Sequence, residues 1–201
     1  MAAEAPLAGL VLAGGQSRRM QRDKAALAYQ GQTQLARAMQ LLGGHCTACF
    51  VSVRPDQQHE PERAHYPQVI DRLREVGPAA GILAAQQRLP DHAWLVVAVD
   101  LPLLDEATLR ALIAARDPAR LATAYRSAAD GLPEPLCAIW EPASHALLAA
   151  SVAGGRSCPR KFLLSHAVRL IELAAPAALA NVNTPDDYAA ALAAGRGGAG
   201  A

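Results

Sequence analysis

The chain has 201 residues, of which 52% are hydrophobic and 18% charged, and its formal net charge is +1. That length and apolar share suffice for one substantial core, while the near-neutral charge excludes a protein that grips nucleic acid or an anionic membrane through overall charge. The first apolar run lacks the basic leader of a secretory signal, and no stretch of about 20 apolar residues is present to span a bilayer, so the cytoplasm is the expected compartment.

Taken in order, Leu7 to Ala13 is a short apolar run of the kind that becomes a buried parallel strand. The sequence LAGGQSRRMQRDK, Leu12 to Lys24, overlaps its end and places Gly14 and Gly15 ahead of Arg18, Arg19, Arg22 and Lys24. Thr33 to Leu42 then carries Leu35, Ala38, Met39 and Leu42 at helical spacing and stops at Gly43-Gly44. Cys49 to Val53 and Gln68 to Ile70 read as strands, Ala79 to Arg88 as a helix stopped by Pro90, and Trp94 to Val99 as a strand ending at Asp100. Asp105 is a helix cap, Pro118 marks the far side of that helix, and the cations from Arg110 to Arg120 read as a solvated face. Leu136 to Trp140 and Val168 to Leu173 are later strands, with helices near Ala143 to Val152 and Pro185 to Ala194. The alternation predicts an α/β fold, a three-layer Rossmann-like sandwich around a mostly parallel sheet. Residues 1–194 form the expected single domain, and the Gly/Ala-rich tail Gly195 to Ala201 is expected to be disordered.

Cys46, Cys49, Cys137 and Cys158 do not make a disulfide framework in a chain with this much core. Cys46-Thr-Ala-Cys49 beside His45 has half of a zinc or redox spacing, but no second pair completes it, so ordinary thiols at a strand entrance are expected. The six histidines show no metal-helix spacing and read as surface or satisfied residues.

Ligands of open α/β sheets bind outside the carboxyl ends of the strands, and the glycine-cation stretch leaves the first strand at that rim. Glycine at 14 and 15 lets backbone amides approach phosphate oxygens without a Cβ in the way, and Arg18, Arg19 and Lys24 supply charge against a polyphosphate. The spacing is neither a Walker loop nor a dinucleotide fingerprint, so on spacing alone nucleotide phosphate binding and a solvated basic loop both stay open. Asp100, at a strand end on the same rim, is placed to hold Mg²⁺ against phosphates; a turn aspartate before Pro102 is the competing reading. Asp71 ends a strand in the same way, and simple surface pairing with Arg72 and Arg74 competes there.

Leu12-Ala-Gly-Gly, Arg19-Met20, Asp23-Lys24, the segment Gly77-Pro-Ala-Ala-Gly81-Ile, Asp100-Leu-Pro and Asn181-Val-Asn-Thr-Pro-Asp-Asp187 together resemble the molybdenum cofactor guanylyltransferases, the MobA-like enzymes, from about Leu7 to Ala191. The resemblance implies a nucleotidyltransferase fold and transfer of GMP from GTP to molybdopterin, or its molybdenum-loaded form, with release of pyrophosphate. It implies Leu12, Ala13, Gly14 and Gly15 around the nucleotide, Arg19 and Lys24 with Asp100 as the catalytic set, Lys24 on phosphate, and Ser52 and Asp71 near base or ribose. It further implies Asp100 on Mg²⁺ and Asn181 and Asn183 on the pterin side, where Thr184 and Pro185 also start a helix locally. Cytidylyl-transferring cousins carry Ala-Ala-Gly where this chain has Ala13-Gly14-Gly15, which favours guanine; cytidylyl transfer, or a non-catalytic GTP or pterin carrier for a molybdoenzyme, are the alternatives. Transient contact with cofactor-delivering proteins or molybdoenzymes is implied as well. The chain departs from the family pattern at Gln21, where glycine is usual, at Ala79, where leucine is usual, and at Ser52, where some relatives carry asparagine.

Overall fold

The computed structural model describes residues 4–14, 25, 28–29, 31–181 and 187. Gly15, Arg18, Arg19, Gln21, Lys24 and Asn183, the expected helix Pro185 to Ala194 and the tail Gly195 to Ala201 lie outside the described residues. Among the described residues, nine strands follow one another in the chain: β1 (Leu7–Leu12), β2 (Ala28–Tyr29), β3 (Gln32–Thr33), β4 (Cys49–Val53), β5 (Gln68–Ile70), β6 (Ala93–Ala98), β7 (Ala122–Arg126), β8 (Pro133–Trp140) and β9 (Arg169–Ile171). The helices are α1 (Gln34–Gly43), α2 (Pro61–Ala64), α3 (Pro78–Arg88), α4 (Glu106–Ala114), α5 (Ser144–Ala153) and α6 (Pro159–Leu164).

Seven of these strands form one sheet in the order β5-β4-β1-β6-β8-β7-β9, and β2 pairs with β3 in a separate small hairpin. Within the described sheet β8 runs against its neighbours β6 and β7, and the other pairings are parallel. Because each parallel crossover lays a helix on a face, both faces must be apolar. In β6, accordingly, Leu95 and Val97 join one core with Leu35 and Leu42 of α1 and Leu109 and Leu112 of α4. Trp94 and Val96 join the other with Ile82 of α3, Leu148 of α5 and Phe162 of α6. The result is the three-layer sandwich expected from the alternation of elements.

Local chemistry sets the helix starts. Thr33 Oγ1 accepts the Ala36 N–H at 3.2 Å to open α1, and Asp105 Oδ1 accepts the Thr108 N–H at 2.8 Å to open α4, each satisfying an amide that the first turn cannot. Pro78 stands at the start of α3, where its missing N–H is no loss. Five elements had no reading in the sequence, the short β2, β3 and α2 together with β7 and the six-residue α6, and the cations of residues 110–120 need a correction. Arg110 is exposed, but Arg116 is 7% exposed and forks onto the Glu141 carboxylate at 2.6 and 2.8 Å. Its position past the end of α4 turns it toward that carboxylate rather than into solvent.

The thiols are unpaired by disulfide among the described residues, and no three His, Cys, Asp or Glu side chains there converge on a metal position. No described helix is long and apolar enough to cross a membrane.

Candidate active site

The chain winds from β1 over α1 to β4 on one face, then returns from β5 over α3 to β6 on the other. β1 and β6 are therefore the neighbours at which the winding reverses, and the crevice above their carboxyl ends is where doubly wound sheets place ligands. A cleft of about 840 Å³ opens there, lined by Leu12, Ala13, Gly14, Ser52, Asp71 and Asp100 among others. Every described residue expected on the nucleotide side thus faces one cavity. Asn181 does not; it lines an adjoining cavity of about 380 Å³ with Glu134, Ser157 and Arg160, and the two cavities share Pro78 and Leu136.

Two glycines shape the cleft for different reasons. A β-carbon on Gly81 would lie 2.4 Å from Ser52 Oγ and 2.7 Å from Leu12 Cδ2, so glycine there lets α3 settle directly on the ends of β1 and β4. At Gly14 a β-carbon would meet no protein atom closer than 3.7 Å. Packing does not require glycine at 14, where a β-carbon would rest in ordinary contact with Gln57 and Arg54, and the residue lines the cleft.

The turn after β1 is held from below by two arginines that no sequence pattern singles out. Arg63, on α2 and 1% exposed, donates from Nε and Nη2 to the Ala13 carbonyl at 3.2 and 2.7 Å and pairs through Nη1 with Glu60. Arg54, just past β4, donates to the Gly14 carbonyl and forks onto Asp56 at 3.0 Å through both Nε and Nη2. The Ala13 N–H donates to the Ser52 carbonyl at 3.3 Å. The backbone of the glycine turn is therefore fixed at two carbonyls and one amide.

Asp71 follows β5, with its backbone N–H on the Val53 carbonyl at 2.9 Å. Burial raises its carboxyl above the usual value, opposed by the charge of Arg54 and reinforced by Asp56. Arg54, not Arg72 or Arg74, is the cation that acts on it. Arg72 and Arg74 instead stand exposed at the mouth of the cleft, on the loop in which Glu75 adopts φ of 60°. Asp100 follows β6, three strand spacings from β5 in the sheet order, or about 14 Å at ~4.8 Å per strand. The two carboxylates accordingly sit at opposite ends of the cleft. Asp100 is a hard oxygen donor at the strand-end rim, and one carboxylate combined with phosphate oxygens and water is how Mg²⁺ is ordinarily held, without an all-protein cage; the residues present fit such an ion.

The MobA-like NTP transferase domain family matches residues 9–170. The chain is 38% identical over 185 residues to a molybdenum cofactor biosynthesis bifunctional protein of Synechocystis sp., covering 92% of this chain but 53%, about half, of that longer protein. It is 36% identical over 197 residues to a molybdenum cofactor guanylyltransferase of Rhizobium johnstonii, covering 90% of this chain and 89% of the relative. Among solved structures, molybdopterin-guanine dinucleotide biosynthesis protein A from Archaeoglobus fulgidus shares the fold with a TM-score of 0.78 at 21% identity, over 94% of this chain and 99% of that one. A Mycobacterium tuberculosis protein solved in complex with manganese also shares it, with a TM-score of 0.67 at 22% identity, over 94% and 98% of the two chains. A doubly wound sheet with its cleft at the β1–β6 reversal and a family match across most of the chain lead to one conclusion: this protein belongs to the MobA-like NTP transferase domain family and is a nucleotidyltransferase.

Proposed function

We propose that the chain transfers GMP from GTP to molybdopterin, forming the guanine dinucleotide of the cofactor and releasing pyrophosphate in the cytoplasm. The observation that carries this reading is Gly14. It is a glycine that packing does not demand, held at its carbonyl by Arg54 and lining the cleft, in a chain 36% identical to a guanylyltransferase along nearly its whole length.

In this reading an oxygen of the pterin's terminal phosphate forms a bond to the α-phosphorus of GTP as the bond from that phosphorus to the β-bridging oxygen breaks, and the electron pair leaves with pyrophosphate. The protein's task is alignment and charge stabilisation, since little covalent chemistry is asked of it. Gly14 and Gly15 present backbone amides to phosphate oxygens, Arg19 and Lys24 offset the charge on the leaving pyrophosphate, and Leu12 and Ala13 form the floor. Asp71 and Ser52 serve the nucleoside end, and Asp100, about 14 Å away by strand spacing, serves the phosphates. Asp100 would hold a Mg²⁺ ion, which when bound supplies charge stabilisation at the phosphoryl oxygens. The acceptor enters from the adjoining cavity lined by Asn181, with Asn183 two residues further on.

The test is direct. The pure protein is mixed with molybdopterin, Mg²⁺ and each nucleoside triphosphate, and the dinucleotide is sought by mass. GTP is expected to be used well over CTP, because a hydrogen-bonding base pocket leaves its own groups unpaired against the wrong edge; equal or faster formation with CTP overturns the assignment.

A further inference from the structure

Arg63 is the largest charged side chain in the described interior, on a four-residue helix that contributes little else to the core. Its charge is matched by Glu60, three residues earlier on the same turn. Arg54 is matched in the same way by Asp56, two residues later. Neither guanidinium therefore stands as a spare positive charge for a phosphate; Arg63 directs two N–H groups to the Ala13 carbonyl and Arg54 one to the Gly14 carbonyl. The contacts reach across 50 residues for Arg63 and 40 for Arg54, so they join β1 to the segment after β4 and not to its own neighbours.

We infer that Arg63, assisted by Arg54, is a positioning residue that sets the anion-binding face of the glycine turn. The physical link is the trans peptide, in which the C=O and the following N–H point in opposite directions. Pinning the Ala13 carbonyl into the interior through two donors of one planar fork turns the Gly14 N–H the other way, toward the cleft. A lysine offers a single point of donation with free rotation and cannot hold a carbonyl in this two-point manner. The turn then has its amide oriented before nucleotide arrives, and binding does not have to order it. Arginine at 63 thus aims the donor that glycine at 14 carries on the lining of the cleft.

The inference rests on the nucleotide reading above. Arg63→Lys keeps the charge that balances Glu60 and loses the fork, so it separates aim from charge. The expected result is a folded protein whose KM for GTP rises by about tenfold or more, the scale of one hydrogen bond to a charged group, with kcat changed much less, because the phosphate contact is made in ground and transition states alike. The GTP-dependent rise in melting temperature should shrink in parallel. Ethylguanidinium added to Arg63→Ala should restore part of that rise, which general loss of packing would not allow. If the Arg63 variants do not fold, Arg54→Ala at the partly exposed position, which removes the N–H held on the Gly14 carbonyl, carries the test. A parent protein without any GTP-dependent shift overturns the nucleotide reading and the inference with it. A parent that responds to GTP, together with a folded Arg63→Lys or Arg54→Ala whose KM stays within about twofold, a difference too small for a lost charged hydrogen bond, overturns the inference alone.

Discussion

Ser52 and Gly81 meet where β4 runs out beneath α3, so closely that a β-carbon on Gly81 would stand 2.4 Å from Ser52 Oγ. Gly81→Ala should therefore force the helix off the strand ends. Overpacking of this kind costs about 1 to 3 kcal/mol, and because Leu12 and Ser52 line the cleft, GTP affinity should fall along with the melting temperature. Chemical denaturation and a GTP titration of the same variant check both; a Gly81→Ala protein of unchanged stability would mean the helix has freedom to shift.

Asp71 gives a pH dependence with a defined sign. Burial raises its folded-state pKa above the ordinary carboxylate value, so between the unfolded and folded pKa values the folded protein holds the extra proton. Stability contributed by this group is then present at low pH and declines as pH rises through the folded pKa. Asp71→Asn should melt higher than the parent at neutral pH, with the gap closing under acid, and should bind GTP more weakly. Melts across the acid range alongside GTP titrations settle the point.

Asp100→Asn and Lys24→Ala test the chemistry at the phosphate end. Each should lower turnover by about a hundredfold or more, the scale for removing one preorganised electrostatic group. Circular dichroism should remain that of the parent. Normal turnover by either folded variant contradicts the role assigned to that residue.

The pair of Arg116 and Glu141 is a structural ion pair remote from the cleft, with Arg116 also donating to the Ala5 carbonyl at 2.9 Å. Removing one partner leaves the other charged and out of water, so Arg116→Ala should destabilise the fold by about 3 to 5 kcal/mol. Its kinetic constants, measured well below the melting temperature, should match those of the parent.

What could be read from the sequence was whatever both faces of the sheet made apolar. Leu7 to Leu12 and Ala93 to Ala98 are covered on both sides, and that leaves runs of apolar residues interrupted only by Gly9. β7 escaped because its sequence Ala-Thr-Ala-Tyr-Arg mixes small and polar residues, although Thr123 is fully buried and its Oγ1 accepts the Asp117 N–H at 3.0 Å. The cleft residues Gly14, Ser52, Asp71 and Asp100 were legible through the ends of strands and through resemblance to a family. Arg63 was not. It sits in Glu-Pro-Glu-Arg, a charged run that composition assigns to the surface, and its contact with a carbonyl 50 positions away has no mark in the local sequence. Arg116 was misread for the same reason, since a cation near a helix end carries no local mark of a distant carboxylate partner.

The reversed direction of β8 divides the labour along the chain. Because it runs against β6, its first residues and not its last stand at the rim, and Leu136 forms a wall common to both cavities. The cleft is built almost wholly from residues up to 100, whereas the adjoining cavity draws most of its lining from residues after that point. With the nucleotide in the cleft and the acceptor in the adjoining cavity, as proposed above, inheritance can alter the second without touching the first. A hybrid that takes its first hundred residues from this protein and the remainder from a relative should keep its choice of triphosphate while adopting the acceptor preference of its second parent.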